Sequence, residues 1–339
     1  MKREKTGRLS VLWIIILIIL PVLTALLCLL IGRMPLTVKD LITAFSDQFS
    51  GKKPENALTY ATIFSIRFPR ILLALLVGAG LSAAGCAFQS LFANPLATPD
   101  TVGVASGASF GAALGILFGF GMTGIQGMSF LMGAAAVALT WIAGKGKDRS
   151  LNSVVLSGIM IGSLFSALVS LVKFAADSES ELPAITYFLM GSFASASYKS
   201  LLIGCIPVLL GIVTLFALRW HMNLLPYSED EVRSLGINMA RLRAVTVIAA
   251  TMITASCVSM CGQVGWIGLL VPHMCRMKFK NNHLSLLPAS LSLGASFMVI
   301  VDTMARSVSA SEIPVSVLTA ILGAPFFIYL MKKTGGWKL

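Results

Sequence analysis

The sequence predicts an all-α integral membrane protein with about ten membrane-spanning helices. The chain of 339 residues is 56% hydrophobic and 12% charged, whereas a soluble domain carries roughly 25% charged residues. Its apolar residues fall in long uncharged runs of the length that crosses a bilayer. These runs lack the alternation of barrel strands, so helices remain as the structure that satisfies backbone polar groups in lipid.

Eight apolar runs are each long enough for one membrane helix. They cover residues 11–31, 71–92, 101–120, 122–143, 151–172, 200–218, 284–301 and 313–331. The first run follows a basic head and is longer than the apolar body of a cleaved signal. It also lacks a small-residue cleavage site, so we expect it to be an uncleaved first span.

The uncharged run 244–275 predicts a pair of helices. Its 32 residues would measure ~48 Å as one helix, against a hydrocarbon core of ~30 Å. The run is too short for two full spans, and Gly262, Gly265 and Gly268 lie in its middle. We therefore predict one full helix and one short helix that turn near Gly262, which brings the count to ten.

Ten spans place both termini on one side of the membrane. The two tails and the loops 144–150, 219–243 and 273–283 fall on that side and hold 17 of the 26 Lys and Arg residues. Because basic residues are enriched in cytoplasmic loops, we expect both termini to be cytoplasmic. Membrane topology thus accounts for the net charge of +12, and we expect no nucleic-acid partner.

One polar segment, residues 223–243, interrupts the apolar sequence with "NLLPYSEDEVRSLGINMARLR". Ser228 and Glu231 have the spacing of a capping box, Gly236 fits a C-terminal cap, and Asn238 fits the start of a second helix. A solvated surface loop is one interpretation. We favour a surface that seats a partner protein, because a simple connection does not need two capped helices.

Two further motifs indicate unusual backbone packing. Glycines recur every four residues from Gly103 to Gly119. Their bare helix face lets another helix approach closely, either inside the protomer or at a dimer seam. In "QSLFANPLATPD", Pro95 cannot continue a regular helix. Irregular backbone at membrane depth is tolerated where it lines a cavity or is buried, although an ordinary turn between spans fits as well.

No catalytic set or metal site emerges from the sequence. A Gly-rich loop ending in Gly-Lys-Ser/Thr is absent, so we expect no ATPase site in this chain; "GKGKD" at 144–148 lacks the spacing. Cys257 and Cys261 share a helix face but lack a nearby acid, which favours packing residues. A secondary transporter would keep ionisable groups near the midplane, and a membrane enzyme would need a convergent polar site.

Several stretches together resemble the FecCD family, the permeases of ABC importers for iron-siderophores, haem and cobalamin. They are "RFPRILLALLVGAGLSAAGCAFQSLFANPLATPDTVGVASGASFG", "GWIGLLVPHMCR", "LLPASLSLGASFMVIVDTMAR" and "EIPVSVLTAILGAPFFIYL". The resemblance runs from about Arg67 to Lys333. It implies a single permease domain over 1–339 with the type II, cobalamin-importer-permease-like arrangement of ten helices per protomer.

The resemblance also implies a set of partners. A second permease protomer, identical or not, forms a dimer in the cell membrane of a bacterium or archaeon. A cytoplasmic ABC ATPase dimer binds ATP and Mg, and an extracytoplasmic binding protein delivers the cargo. The chain itself is expected to bind no metal or cofactor and to catalyse no reaction. The implied cargo is an iron-siderophore, with haem or cobalamin as alternatives; a secondary transporter is the alternative from another class.

The resemblance assigns roles to particular residues. The ATPase-docking helix within the cytoplasmic loop 223–243 corresponds to Ser228, Glu229, Asp230, Glu231, Arg233, Leu235 and Gly236. The arginines that face outward and accept acids of the binding protein correspond to Arg67, Arg70 and Arg306. The cytoplasmic gate corresponds to Asn94 and Leu96 in the "NPL" turn and to Leu151 and Asn152 at the start of span five.

Overall fold

The computed structural model describes residues 9–51, 53–144, 151–309 and 311–333, and these ranges contain helices and no strands. The helices are α1 Val11–Leu30, α2 Val38–Ser50, α3 Ala57–Ala61, α4 Phe68–Leu91, α5 Val104–Leu117, α6 Met122–Ala143, α7 Leu151–Ala175, α8 Glu181–Leu189, α9 Tyr198–Leu218, α10 Glu229–Ser234, α11 Met239–Cys261, α12 Ile267–Phe279, α13 His283–Ser307 and α14 Val315–Lys333. A π-helical turn, Thr62–Arg67, joins α3 to α4, and short 3-10 helices cover Pro99–Val102 and His221–Leu224. The N-terminal tail, the loop 145–150 and Lys338, which entered the charge count, lie outside the described residues.

Ten of these helices correspond to the ten predicted spans. In the described part of the chain, seven helical stretches are long and apolar enough to cross a membrane: α1, α3 with α4, α6, α7, α9, α11 and α13. The other three predicted spans are α5, α12 and α14. The predicted turn near Gly262 is confirmed, because α11 ends at Cys261 and Gly262 has a φ of 74°. The short helix α12 has 13 residues.

The bundle has two ends, named here for the residues they carry. The segment end carries residues 223–243, and Ser90 at the end of α4 bonds to Met222 there. The arginine end lies opposite and carries Arg67, Arg70 and Arg306. The first span starts at the segment end, where Trp13 packs edge-on against Phe279 of α12 with ring centroids 5.1 Å apart.

The last span also finishes at the segment end. Ile313, just before α14, donates a backbone hydrogen bond to Ala305 at the arginine end, so α14 runs from there toward the segment end. The described chain therefore begins and finishes at the same end of the bundle, as an even number of spans requires.

The central helices pack closely at glycines, where the backbone of one helix touches the backbone of the next. α4 and α11 are buried along most of their length. A Cβ atom added at Gly85 of α4 would overlap the backbone of Gly268 in α12, and one at Gly78 would overlap that of Gly294 in α13. Lipid is as apolar as the helices are, so close van der Waals packing of small residues is what holds such helices together.

The glycine repeat that starts at Gly103 packs inside the protomer. Gly107 and Gly111 face the α6 carbonyl groups of Met132 and Met128, with no room for a side chain between them. The sequence left open whether this face packs inside the protomer or at a dimer seam. In the structure it packs inside the protomer, where α5 contacts α6. The face is therefore a determinant of the protomer fold.

Replacing Gly85 with Val is expected to destabilise the protein strongly. The new side chain would force α4 away from α12, and overpacking of this kind costs about 1–3 kcal/mol or more. The measurement is the apparent unfolding temperature of the purified protein in detergent. Gly127→Val is the matched control, because Gly127 lies on a membrane helix with no atom near its Cβ position. Equal unfolding temperatures for the two variants would contradict this packing.

Candidate functional sites

The predicted caps of the polar segment are present. Ser228 Oγ accepts a hydrogen bond from the Glu231 backbone N–H at 3.4 Å, and the Glu231 carboxylate accepts one from the Ser228 N–H at 3.0 Å. The bond to the Ser228 backbone is the main cause that holds the pKa of Glu231 below its usual value of 4.5. This cap therefore stabilises α10 above pH 4.5 and weakens as the pH falls through the lowered pKa. Gly236 has a φ of 76°, and Asn238 caps α11 through the Arg241 N–H.

The helix α10 displays its side chains to the outside. Val232 is buried against the bundle, while Glu229, Asp230 and Arg233 are exposed. Leu235 has 62% of its surface exposed. Arg243 of α11 forms a 2.6 Å ion pair with Glu229, which fixes the angle of α10. Exposed charges around a large apolar residue are a surface that can seat a protein partner.

Two hydrogen-bonded contacts attach the polar segment to the bundle. Asn223 Oδ1 accepts from the backbone N–H of His283 at 2.9 Å, at the start of α13, and lies 3.0 Å from its ring Nδ1. Ser90 Oγ in α4 donates to the Met222 carbonyl at 2.9 Å. A displacement of this segment would therefore act directly on α4 and α13.

The "NPL" turn follows α4 at the same end. Ala93 has a φ of 46°, and the Asn94 side chain accepts from the Leu96 N–H at 2.9 Å, as in an Asx turn. The turn leads into the 3-10 helix Pro99–Val102, which packs so closely on α7 that a Cβ at Gly158 would overlap the Thr101 carbonyl. The prediction that Pro95 does not continue a regular helix is confirmed, because α4 ends at Leu91.

The four residues assigned to a gate lie in the "NPL" turn and at the start of α7, the helix that contacts the 3-10 helix after that turn. Asn94 and Leu96 are in the turn, and Leu151 and Asn152 begin α7, two helical turns before its contact at Gly158. Their role as a gate stays a prediction.

A second irregular stretch, residues 262–266, faces the first across a cavity of about 40 Å³. Thr98 and Asp100 line it from one side, and Gln263 and Trp266 from the other. Trp266 has a φ of 68°, a backbone strain of about 1–3 kcal/mol that the surrounding packing must offset. Broken helices around a cavity are typical of solute pathways in membrane transporters.

The three arginines that the resemblance assigns to docking of the binding protein are buried in this structure. Arg67, Arg70 and Arg306 have 4%, 5% and 8% of their surface exposed. Arg70 donates to both carboxylate oxygens of Asp302 at 2.8 to 3.0 Å, and to Glu312 at 2.8 Å. The physical reason is that these side chains find acceptors within the chain; a docking role for them stays a prediction.

Arg67 and Arg306 cap the end of α1. Arg67 donates to the Leu29 carbonyl at 2.6 Å, and Arg306 donates to the Cys28 carbonyl at 2.6 Å. The last carbonyl groups of a helix have no donors within the helix and carry partial negative charge, so a guanidinium satisfies both needs. The two arginines lie on either side of Gly32, where a Cβ would overlap both.

The acids of this cluster were missed as site residues. Asp302 lies four residues before Arg306, a spacing that predicts neighbouring charges on one helix face, and the two side chains are 3.8 Å apart. That spacing could have identified Asp302 as a partner of Arg306 from the sequence. No sequence pattern could have indicated that Arg70 pairs with Asp302, because 232 residues separate them.

The helical architecture, the capped segment and the broken helices around a cavity define a class: the permease of a type II ABC importer. Residues 16–333 match the FecCD transport family, and the chain belongs to that family. It is 41% identical over 323 residues to the molybdate import system permease protein MolB of Haemophilus influenzae, which covers 94% of this chain and 96% of the relative.

Two further proteins extend the comparison. The chain is 39% identical over 276 residues to the "Probable iron chelatin transport system permease protein" of Helicobacter pylori, covering 81% of this chain and 83% of that one. A solved ABC transporter of a proposed metal-chelate type, in an inward-facing conformation, has a TM-score of 0.85 at 41% identity and covers 94% of this chain and 97% of its own.

Breaking the buried ion pair at the arginine end is expected to destabilise the protein. Arg70→Met leaves Asp302 buried without its main partner, which costs about 3–5 kcal/mol. The double change Arg70→Met with Asp302→Leu should recover much of this loss, because replacing a whole buried pair with apolar residues is often neutral. Apparent unfolding temperatures in detergent measure both effects. An Arg70→Met variant as stable as the parent would show that the pair contributes nothing.

Proposed function

We propose that this permease passes a ferric siderophore across the membrane, driven by ATP that a separate ABC ATPase hydrolyses with Mg. The observation that supports ATPase coupling is α10, a helix capped at its N-terminus, exposed along its charged side and fixed by an ion pair from α11 to Glu229. Such a rigid protrusion fits a cleft on a partner and transmits force where a flexible loop would not.

The segment end is the cytoplasmic end in this proposal. It carries α10 and the basic residues Arg219, Arg276 and Lys278, and basic loops favour the cytoplasmic side. The arginine end then faces a binding protein outside the membrane. A second copy of this chain or a sister permease completes the pathway beside the cavity at Trp266.

We also propose a route from the ATPase to the pathway. The hydrogen bond between Ser90 and Met222 joins the docking segment to α4, four residues before Asn94 opens the "NPL" turn. ATP-driven closure of the ATPases would move α10, and the bond would carry that movement to the turn beside the cavity. In this way the pair of protomers would alternate between inward-facing and outward-facing states.

Loss of the α10 caps is expected to loosen the ATPase. Ser228→Ala with Glu231→Ala removes both reciprocal bonds, and loss of an N-cap alone costs about 0.5–2 kcal/mol of local helix stability. Gly236→Val acts at the other end of α10, because a β-branched residue resists a positive φ. The measurement is the amount of ATPase that co-purifies with the membrane-inserted variants.

Two variants complete this experiment. Glu179→Ala with Ser195→Ala is the matched control, since both side chains are exposed at the arginine end, and it should retain the ATPase. Ser90→Ala should also retain the ATPase while transport falls, because it removes the link and leaves α10 intact. Variants of α10 that hold the ATPase as tightly as the parent would show that the segment is an ordinary solvated loop.

The relatives are named for three cargoes: molybdate, iron chelatin and, in a permease 36% identical over 282 residues, cobalamin. The iron chelatin permease of Helicobacter pylori supports a ferric siderophore. The second candidate is molybdate, which the 41% identity to a molybdate permease favours. Either cargo carries a metal held by oxygen donors, and a binding protein would select between them before the permease is reached.

Uptake of labelled cargo should distinguish the two. Cells that lack this chain are expected to lose uptake of ⁵⁵Fe-siderophore and to regain it when the parental chain is restored, with no change in ⁹⁹Mo-molybdate uptake. Restoration with the variant lacking the α10 caps serves as the control for coupling to the ATPase. Loss of molybdate uptake alone would overturn the ferric assignment and establish the second candidate.

A further inference from the structure

We infer that α2 is an in-plane membrane anchor whose exposed apolar side enters the lipid at the arginine end. This inference is independent of the cargo and of the ATPase, because it rests on the position and the surface of α2 alone.

The residues of α2 form two opposed faces. At 3.6 residues per turn, its apolar residues fall in one sector: Val38, Leu41, Ile42, Ala44, Phe45 and Phe49. Gln48 is the polar exception within that sector, and it accepts a hydrogen bond from the Tyr60 hydroxyl of α3. The opposite sector is polar: Lys39, Asp40, Thr43, Ser46, Asp47 and Ser50. An amphipathic helix of this kind lies in the plane of a membrane interface when its apolar face is left free of protein.

Half of the apolar sector is free of protein. Ala44 is buried, and the Phe45 ring lies 5.1 Å from that of Phe64 and 6.4 Å from that of Phe68. Beside these covered residues, Ile42 has 66% and Phe49 has 86% of its surface exposed. The structure therefore fixes α2 through one edge of its apolar face and leaves the other edge open.

The position of α2 matches the membrane boundary. α1 has 20 residues, which is ~30 Å of helix and the thickness of the hydrocarbon core. Arg67 bonds to the last turn of α1, and Phe64 and Phe68, which hold α2, lie within one turn of Arg67. The middle of α2 is thus level with the point where α1 leaves the hydrocarbon.

Other exposed apolar residues lie near the boundary where α1 ends. Ile31, which follows α1, is 51% exposed, and Ile66 beside Arg67 is 60% exposed. Exposed apolar side chains at this level, close to the end of a membrane-spanning helix, fit acyl chains better than a water-facing partner. The helix ends are also closed, by a capping box between Thr37 and Asp40 and by Gly51 at a φ of 64°.

Spin-label accessibility tests the anchor directly. A nitroxide is placed at Ile42→Cys, Phe49→Cys or, as the polar-face control, Ser50→Cys, since Ser50 is exposed and lies within the polar sector. The background is Cys205→Ala, since the other five cysteines are buried. The full-length protein is reconstituted in nanodiscs of phosphatidylethanolamine and phosphatidylglycerol, without an ATPase or a binding protein. Collision with oxygen, which partitions into lipid, is compared with collision with a water-soluble nickel chelate.

Labels at positions 42 and 49 should collide several-fold more with oxygen than with the nickel chelate, and the label at Ser50→Cys should show the reverse. Free access of the chelate to either 42 or 49 would overturn the inference, because that side would then face water. Immobile labels shielded from both reagents would also overturn it and would assign the edge to a second copy of the chain. Uptake measurements do not enter this test, so its failure leaves the proposed function standing.

Discussion

Direct backbone contact between α4 and its neighbours is the constraint on which the other features depend. Gly85 and Gly78 let α4 touch the backbones of α12 and α13, which sets the relative depth of the three helices. Within the bilayer no hydrophobic force presses helices together, so such contacts provide much of the attraction. The register of α4 then fixes both functional ends, since Arg67 and Arg70 lie at one end and Ser90 lies at the other.

At the arginine end, that register brings together a cluster of charged side chains that connects several helices. Arg70 joins α4 to Asp302 in α13, and Glu312 adds the connection into α14. Arg67 and Arg306 hold the end of α1, a helix with little other buried surface. A binding protein that used these guanidinium groups would have to compete with the internal acceptors. An ionic cluster of this kind favours one arrangement of helices because any other would leave a charge buried without a partner.

At the segment end, the same helix connects the exposed polar segment to irregular backbone inside the bundle. Ser90 holds the polar segment, and the turn at Asn94 begins just beyond it. The 3-10 helix that follows this turn and the broken connection at residues 263–266 border one cavity. Non-helical backbone beside a cavity is typical of solute pathways in membrane transporters. The arrangement suits a pathway that opens in response to movement of α10.

Much of the architecture could be predicted because it depends on neighbours along the chain. The ten spans follow from runs of apolar residues, the break at Gly262 from glycine spacing and helix length, and the caps of α10 from Ser228, Glu231 and Gly236. The resemblance to the FecCD family rests on motifs that are equally local. These features hold because helix length, capping and turn formation are decided within a few residues.

Contacts between distant parts of the chain decided the rest. The guanidinium group of Arg70 meets Asp302 from 232 residues away, so no local pattern could indicate that it is buried. The face of Gly107 and Gly111 was known to be bare, but only the fold placed α6 against it. The same holds for α2, whose sequence gives an apolar side and whose packing on Phe64 and Phe68 leaves half of that side open. Burial is a property of what the rest of the chain brings to a residue, and the tertiary structure alone supplies it.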